Sequence, residues 1–445
     1  MENGSIPKLL AQLAIPAVVA QLVNLLYNIV DRIYIGHMAE VGATALTGVG
    51  LFMPILMLIN AFAMLAGAGG APLAAIRMGR KEHDFAEKIL GNCFTVLMIF
   101  AVALTVIFYV AAPTLLQLFG ASQVTLPYAL SYSRIYILGS VFVLVVMGMN
   151  PFITTQGFAK ISMMTTLIGA VINIILDPIF IFALGLGVRG AALATVLSQM
   201  VGAVWILHFL TGKKTILKLK PSCLKLEGPV ILPCLGLGVS TFVMLSTESL
   251  LSITFTASLA RYGGDLAVGA MTIITSVSQL VTLPLQGVCQ GGQPIISYNY
   301  GAGHGDRVKK TFFLVFFVCM TYTVLFWAAV LLFPSVFAGI FTTNAELSEY
   351  TSWALRVYMA GIFACGAQCS CQQSFMALGQ AKVSLLLACL RKIVLLIPFI
   401  LILPHVLPFD PVFSVFLAEP VSDIAAAVIT TITFLTRFNR ILEMR

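Results

Sequence analysis

The chain has 445 residues, of which 60% are hydrophobic and only 9% charged, and its mean hydropathy is +1.02. No water-soluble core could absorb that much apolar surface, so a soluble globular protein is excluded and an all-α integral membrane protein is expected. The formal net charge of +8 does not mark a nucleic-acid binder, because the basic residues fall in short loops, where anionic membrane lipid accounts for them.

In chain order, Met1 to Lys8 shows no short cleavable signal pattern, so the first apolar stretch is expected to stay as a membrane helix. Stretches long enough to cross a bilayer, about 20 residues each, run near 9–36, 46–76, 89–112, 128–152, 161–184 and 190–211. Six more run near 230–258, 266–290, 312–334, 351–377, 383–404 and 412–436, giving twelve predicted transmembrane helices. The lysine-rich segment 212–228 divides them into an N-lobe at 1–211 and a C-lobe at 229–445.

The two halves repeat each other at an offset of 222 residues. Gly69, Gly70, Pro72, Gly79, Asp84 and Lys88 return as Gly291, Gly292, Pro294, Gly301, Asp306 and Lys310. Tyr128, Arg134, Tyr136 and Gly139 return as Tyr350, Arg356, Tyr358 and Gly361, and Gly157, Ala159 and Lys160 as Gly379, Ala381 and Lys382. A duplicated apolar half is the mark of a transporter built from two bundles. Basic residues such as Lys8, Arg77, Arg80, Lys88, Lys160, Lys213, Lys225, Arg307, Lys382 and Arg440 fall in loops on one side, against Arg32, Arg189 and Arg261 on the other. Both termini are therefore expected in the cytoplasm, with two parallel six-helix repeats.

The remaining motifs exclude other chemistry. The glycine runs Gly67–Gly70 and Gly301–Gly305 lack the following Lys-Ser/Thr of a nucleotide loop and read as close helix packing and a tight turn. The nine cysteines, Cys365, Cys369 and Cys371 among them, read as small packing residues, and no HExxH or zinc-spaced Cys pair is present. Neither a metal nor a cofactor is expected, and the chain is not expected to be an enzyme. An integral membrane transferase would need clustered acids such as DDxxD in a cytoplasmic loop, and none occurs.

Ionisable groups within spans cost roughly 2.5–3.5 kcal/mol each at mid-helix, so each needs a reason. The acids are Asp31, Asp177, Glu248, Glu419 and Asp423, and the bases Arg134, Arg356, Arg391 and Lys392. Arg134 and Arg356 match across the repeat and read as scaffold, whereas each acid faces an apolar residue in the other half: Asp31 aligns with Ile253 and Asp177 with Phe399. Gln21, Asn24, Asn28 and Asp31 form one polar stripe along the first helix. Asn173 and Asp177, four apart, share a face of the fifth, and Pro178 removes the donor that would serve the Ile174 carbonyl. Asp31, Asp177 and Thr195 all fall in the outer third of their helices. Two carboxylates sharing a dry pocket cannot both stay ionised, so a proton or a bound cation is expected between them. Glu419 and Asp423, four apart on the last helix, are expected to pair with Arg391 as a structural ion pair, while Glu248 has no basic partner at its sequence-derived depth. Glu248, Gln279, Asn24 and Gln21 are the candidate substrate contacts.

Val30-Asp31 with Gly36, the run Asn173-Ile-Ile-Leu-Asp177-Pro178-Ile-Phe180, Gly190-Ala-Ala-Leu-Ala-Thr195, and Gln290-Gly-Gly-Gln293-Pro294 with Tyr298-Asn299-Tyr300-Gly301 resemble the MATE (multidrug and toxic compound extrusion) transporters. The resemblance extends over the whole chain. It implies two six-helix lobes, export of organic cations driven by inward protons or sodium, and a bacterial inner-membrane location. The protein is expected to act as a monomer, with membrane lipid and small organic cations as its partners. The implied cation-coupling network is Asp31, Asn150, Asn173, Asp177 and Thr195, although Asn150 lies nearer the cytoplasmic end of its helix. Glu248 resembles a second-lobe acid of that family. Residues 351–377 contain no Asp or Glu, which departs from the NorM-like branch and points to the MepA-like or DinF-like branches. The alternative is a flippase or metabolite exporter of related fold, for which a basic interior would be expected.

Overall fold

The computed structural model describes residues 4–38 and 41–443, and the side chains of Arg32, Ala43, Leu46 and Asp265 lie outside what is described. The twelve predicted stretches each correspond to helical segments. They are α1 (Ile6–Gly36), α2 in two pieces (Gly42–Leu51 and Met53–Gly79), α3 (His83–Leu118), and α4 as Leu126–Leu138 and Ser140–Thr155 bent by 55°. Then follow α5 (Ala159–Ala183), α6 (Val188–Thr211), α7 (Gly228–Gly264), α8 (Leu266–Gly301) and α9 (Gly305–Leu332). α10 is broken into Ala345–Tyr358, Met359–Ala364 and Cys365–Ala377, and α11 (Ala381–Val406) and α12 (Pro411–Glu443) close the chain. Among the described residues no disulfide links any cysteine.

Two compact units form, but they are not the two sequence halves. One is Val19–Leu245; the other is Ser246–Arg445 together with the chain up to Val18. The early part of α7 thus belongs with the first unit and the early part of α1 with the second, and glycine explains both. In the first unit, a Cβ at Gly69 of α2 would strike the Cys234 carbonyl, and one at Gly238 of α7 the Leu65 carbonyl. In the second, a Cβ at Gly291 of α8 would strike the backbone of Ala14, and one at Gly287 would come within 2.7 Å of Val18 Cα. Helices approach this closely only where no side chain intervenes. Gly69 and Gly291 are repeat equivalents, so the duplicated glycine block encodes one kind of crossing made twice. The turn into the next helix is also shared: Lys81 (φ 63°) and Gly303 (φ 79°) stand at equivalent positions in left-handed backbone. Glycine adopts that conformation freely, whereas Lys81 does so against a cost of roughly 1 kcal/mol.

The segment between the halves is strapped onto the first unit by buried polar side chains. Gln156 Oε1 accepts from Thr215 Oγ1 at 2.9 Å, Ile216 N at 2.7 Å and Leu217 N at 2.9 Å. Asn92 Oδ1 accepts from Glu227 N at 2.7 Å while its amide donates to the Cys223 and Lys225 carbonyls. Glu87 accepts from Lys218 N at 3.0 Å and pairs with Lys220. Buried acceptors that serve several donors fix a loop that would otherwise be free. The repeat equivalents of these three residues are Lys309, Leu314 and Leu378, so the strap belongs to the first half alone.

Candidate functional site

In the first unit, α1, α4, α5 and α6 converge on one polar cluster. Asp177 and Asn173 are fully buried on α5, one turn apart. The Asn173 amide donates to Asp177 Oδ1 at 3.4 Å and to Thr195 Oγ1 of α6 at 3.3 Å. Thr195 in turn donates to the Ala191 carbonyl at 3.0 Å, which fixes its hydroxyl oxygen as an acceptor facing the amide. Neither Asp177 Oδ2 nor Asn173 Oδ1 meets a donor group among the described residues. What Asp177 meets is another acid: the Asp31 carboxyl of α1 lies at hydrogen-bonding range. Beyond Pro178 the last turn of α5 opens into a π-helical segment, Ile179–Ala183, as the missing N–H leads one to expect.

The tyrosines of this cluster were not singled out from sequence. Tyr27 and Tyr132 both lie within interaction range of the Thr195 hydroxyl, and Tyr136 lies within electrostatic range of Asp31. Tyr132 and Tyr136 stack at 6.0 Å, and Phe52 of α2 packs edge-on against both. Aromatic residues four apart on a helix read as ordinary core. The available signal was that Tyr136 belongs to a repeated block and Tyr27 stands one turn before Asp31 on the polar stripe.

Asn150 sits elsewhere. Its amide donates to the Ser162 carbonyl at 3.4 Å, near the start of α5. Asn173 is eleven residues further on, about 16 Å along the helix at 1.5 Å per residue, so Asn150 is not part of this cluster. Gln21 and Asn24 are half-buried, the Asn24 carbonyl accepting from the Asn28 amide at 2.7 Å, and Gln279 is exposed on α8.

The second unit holds a different cluster, one of paired charges. Arg391 donates to Asp423 Oδ1 through Nε at 3.0 Å and Nη2 at 2.7 Å, and Glu419 Oε1 stands 3.8 Å from the same guanidinium. Glu248 of α7 pairs with Lys392 of α11. The expectation that Glu248 lacks a basic partner is therefore overturned. The partner lies 144 residues away, and α11 carries it in a second π-helical segment, Leu390–Leu396, which changes the face a side chain presents. Tyr358, the repeat equivalent of Tyr136, lies within electrostatic range of Glu248, Glu419 and Asp423.

The MatE family model matches residues 16–179 and 240–402, one match in each half. The chain belongs to the MatE family. It is 25% identical over 434 residues to "Multidrug export protein MepA" of Staphylococcus saprophyticus, covering 96% of this chain and 94% of that protein. It is also 25% identical over 440 residues to a protein of the same name from Staphylococcus aureus, with the same coverage. Among solved structures, "Crystal structure of MATE in the straight conformation" superposes with a TM-score of 0.92 at 23% identity, covering 99% of this chain and 98% of that one. "Outward-facing conformation of a multidrug resistance MATE family transporter of the MOP superfamily" superposes at 0.91 and 23% identity, over 99% and 97% of the two chains. Fold and family are thus those of a multi-pass helical transporter of this class.

Proposed function

We propose that the chain is a cation-coupled antiporter, driven by protons or sodium, that exports organic cations by alternating access. The observation that carries this reading is the approach of the half-buried Asp31 to the fully buried Asp177. Two carboxyl groups at hydrogen-bonding range need a proton or a cation between them, and the bound and empty forms then differ in what the cluster can hold together. The acceptors Asn173 Oδ1 and Asp177 Oδ2, left without protein donors, are what a small cation or a protonated acid would engage. The relatives' name, multidrug export protein, supports export of a broad range of drugs. The flippase or metabolite-exporter alternative asks for a basic interior, and the second unit's cluster instead sets three carboxylates against two bases.

Reconstitution tests this directly. Proteoliposomes given an imposed pH gradient, or separately a sodium gradient, are expected to move a fluorescent lipophilic cation against the ion flux with one gradient and not without any. Transport indifferent to both gradients would sink the coupling.

The orientation belongs to the same proposal: both termini and Lys213–Lys225 in the cytoplasm of a bacterial inner membrane, on the charge asymmetry of the loops. Cysteines introduced between 213 and 225 are expected to resist an impermeant maleimide in whole cells and to react after permeabilisation. Labelling in intact cells would reverse the orientation.

A further inference from the structure

We propose that Lys392 sets the charge of the cargo: the second unit's cluster has room for a single added positive charge, and Lys392 yields Glu248 to the arriving cation. This rests on the antiport reading above and specifies its substrate class as monovalent organic cations.

The count comes first. Glu248, Glu419 and Asp423 supply three carboxylates, and Arg391 and Lys392 two bases, in two sets of pairs, Arg391 with Glu419 and Asp423 and Lys392 with Glu248, that lie within electrostatic range of each other. Ionised, the cluster carries 2 − 3 = −1. Burial makes an uncompensated charge costly, so the cluster favours taking up one positive charge, and a second would only invert the imbalance.

The two bases are not equivalent. Arg391 is committed, since two of its nitrogens share Asp423 Oδ1 and Asp423 is itself almost fully buried. Lys392 is a single point charge on a flexible stem. Its side chain is only 5% exposed, whereas that of its partner Glu248 is 51% exposed. An arriving cation therefore meets the carboxylate first and the ammonium from behind. When Glu248 is taken, Lys392 retains a second acid, because Glu419 also lies within its electrostatic range. Glu419 in turn feels Glu248, Asp423 and both bases, which makes it the shared reserve of the cluster.

Backbone geometry supports the assignment independently of the charges. Arg391 and Lys392 are neighbours in sequence, yet they serve acids on two different helices, Asp423 on α12 and Glu248 on α7. They do so from within the π-helical segment Leu390–Leu396. Such wide turns are rare and cost helix stability, and they persist mostly where function requires them. The equivalent positions in the first repeat are Gly169 and Ala170, so neither base has a counterpart there.

The test uses two dyes with one ring system and different charge: ethidium, a monocation, and propidium, a dication. In proteoliposomes of the full chain, wild type is expected to transport ethidium in preference to propidium. Lys392→Gln takes the cluster from −1 to −2, and the propidium-to-ethidium ratio is expected to rise about tenfold, since one more unmatched charge at contact range is worth at least that factor. Lys392→Gln combined with Glu419→Gln restores −1 and is expected to bring the ratio back. Lys392→Arg, which keeps the charge, is expected to leave the ratio near wild type and shows that charge rather than packing is read. A ratio unmoved in Lys392→Gln, or still raised in the double variant, overturns the proposal. If Lys392→Gln does not reach the membrane, Glu419→Gln alone carries the test: at net zero it is expected to lower ethidium uptake about tenfold at equal protein, and unchanged uptake overturns the proposal. Absence of any gradient-driven ethidium transport by wild type would instead strike the antiport reading itself, so the two failures are distinct.

Discussion

Asp177→Asn is expected to reduce gradient-driven efflux to the level of empty vesicles while the protein still reaches the membrane in wild-type amount. The amide is isosteric with the acid and can keep the contact with Asn173, so packing around a fully buried position is preserved. Removing an ionisable group from a span also lowers the insertion cost, by roughly 2.5–3.5 kcal/mol at mid-helix. What is lost is the second carboxyl. A lone Asp31 no longer needs to share a proton or cation with a neighbour, and the cluster loses the difference between its loaded and empty forms on which coupling depends. Asp31→Asn is expected to have the same effect from the other side. Tyr132→Phe, which keeps the ring stacked on Tyr136 but removes the hydroxyl near Thr195, is expected to give a partial loss. Efflux by either Asn variant at wild-type rate, with expression matched by immunoblot, would remove the coupling role from this cluster.

The difference between the two clusters explains what could be read in the sequence. Asp31, Asn173 and Asp177 announce themselves because a polar residue in an apolar span is costly and because three- and four-residue spacing fixes a face of a regular helix. Thr195 follows from its depth. The Glu248–Lys392 pair does not announce itself, since its members lie on α7 and α11 and depth across a π-helical turn cannot be counted at 1.5 Å per residue. Asn150 shows the converse: a resemblance places it in the network, and its hydrogen bond to Ser162 places it near the other end of α5. The spans themselves are legible from length and apolarity even where the helix is broken, as at residues 345–377. The membership of the two units is not. That Val18 and Val19 fall in different units depends on where glycine faces let helices approach, and Gly287 and Gly291 reveal such a face only once their neighbours are known.

Arg391→Met is expected to destabilise the second unit severely, by about 3–5 kcal/mol, the usual consequence of stranding one member of a buried ion pair. The side chain of Asp423 is 3% exposed and receives both hydrogen bonds from Arg391, so the methionine would leave its carboxylate without the two donors that make burial tolerable. Glu419, 3.8 Å from the same guanidinium, would lose its counter-charge at the same time. Methionine fills much of the arginine stem, which makes the loss chiefly electrostatic rather than a cavity. In detergent, the apparent melting temperature followed by fluorescence-detected size exclusion should fall on the order of 10 °C. Combining Arg391→Met with Asp423→Asn removes both partners and should recover most of that fall, because a neutral amide is far cheaper to bury than an unpaired carboxylate. Arg391→Lys is expected to lie between, since a single ammonium keeps the charge but cannot place two N–H groups on Asp423 Oδ1. If Arg391→Met melts within a degree or two of wild type, the pair contributes nothing to folding, and Arg391 would then have to be sought among the residues that move with the cargo.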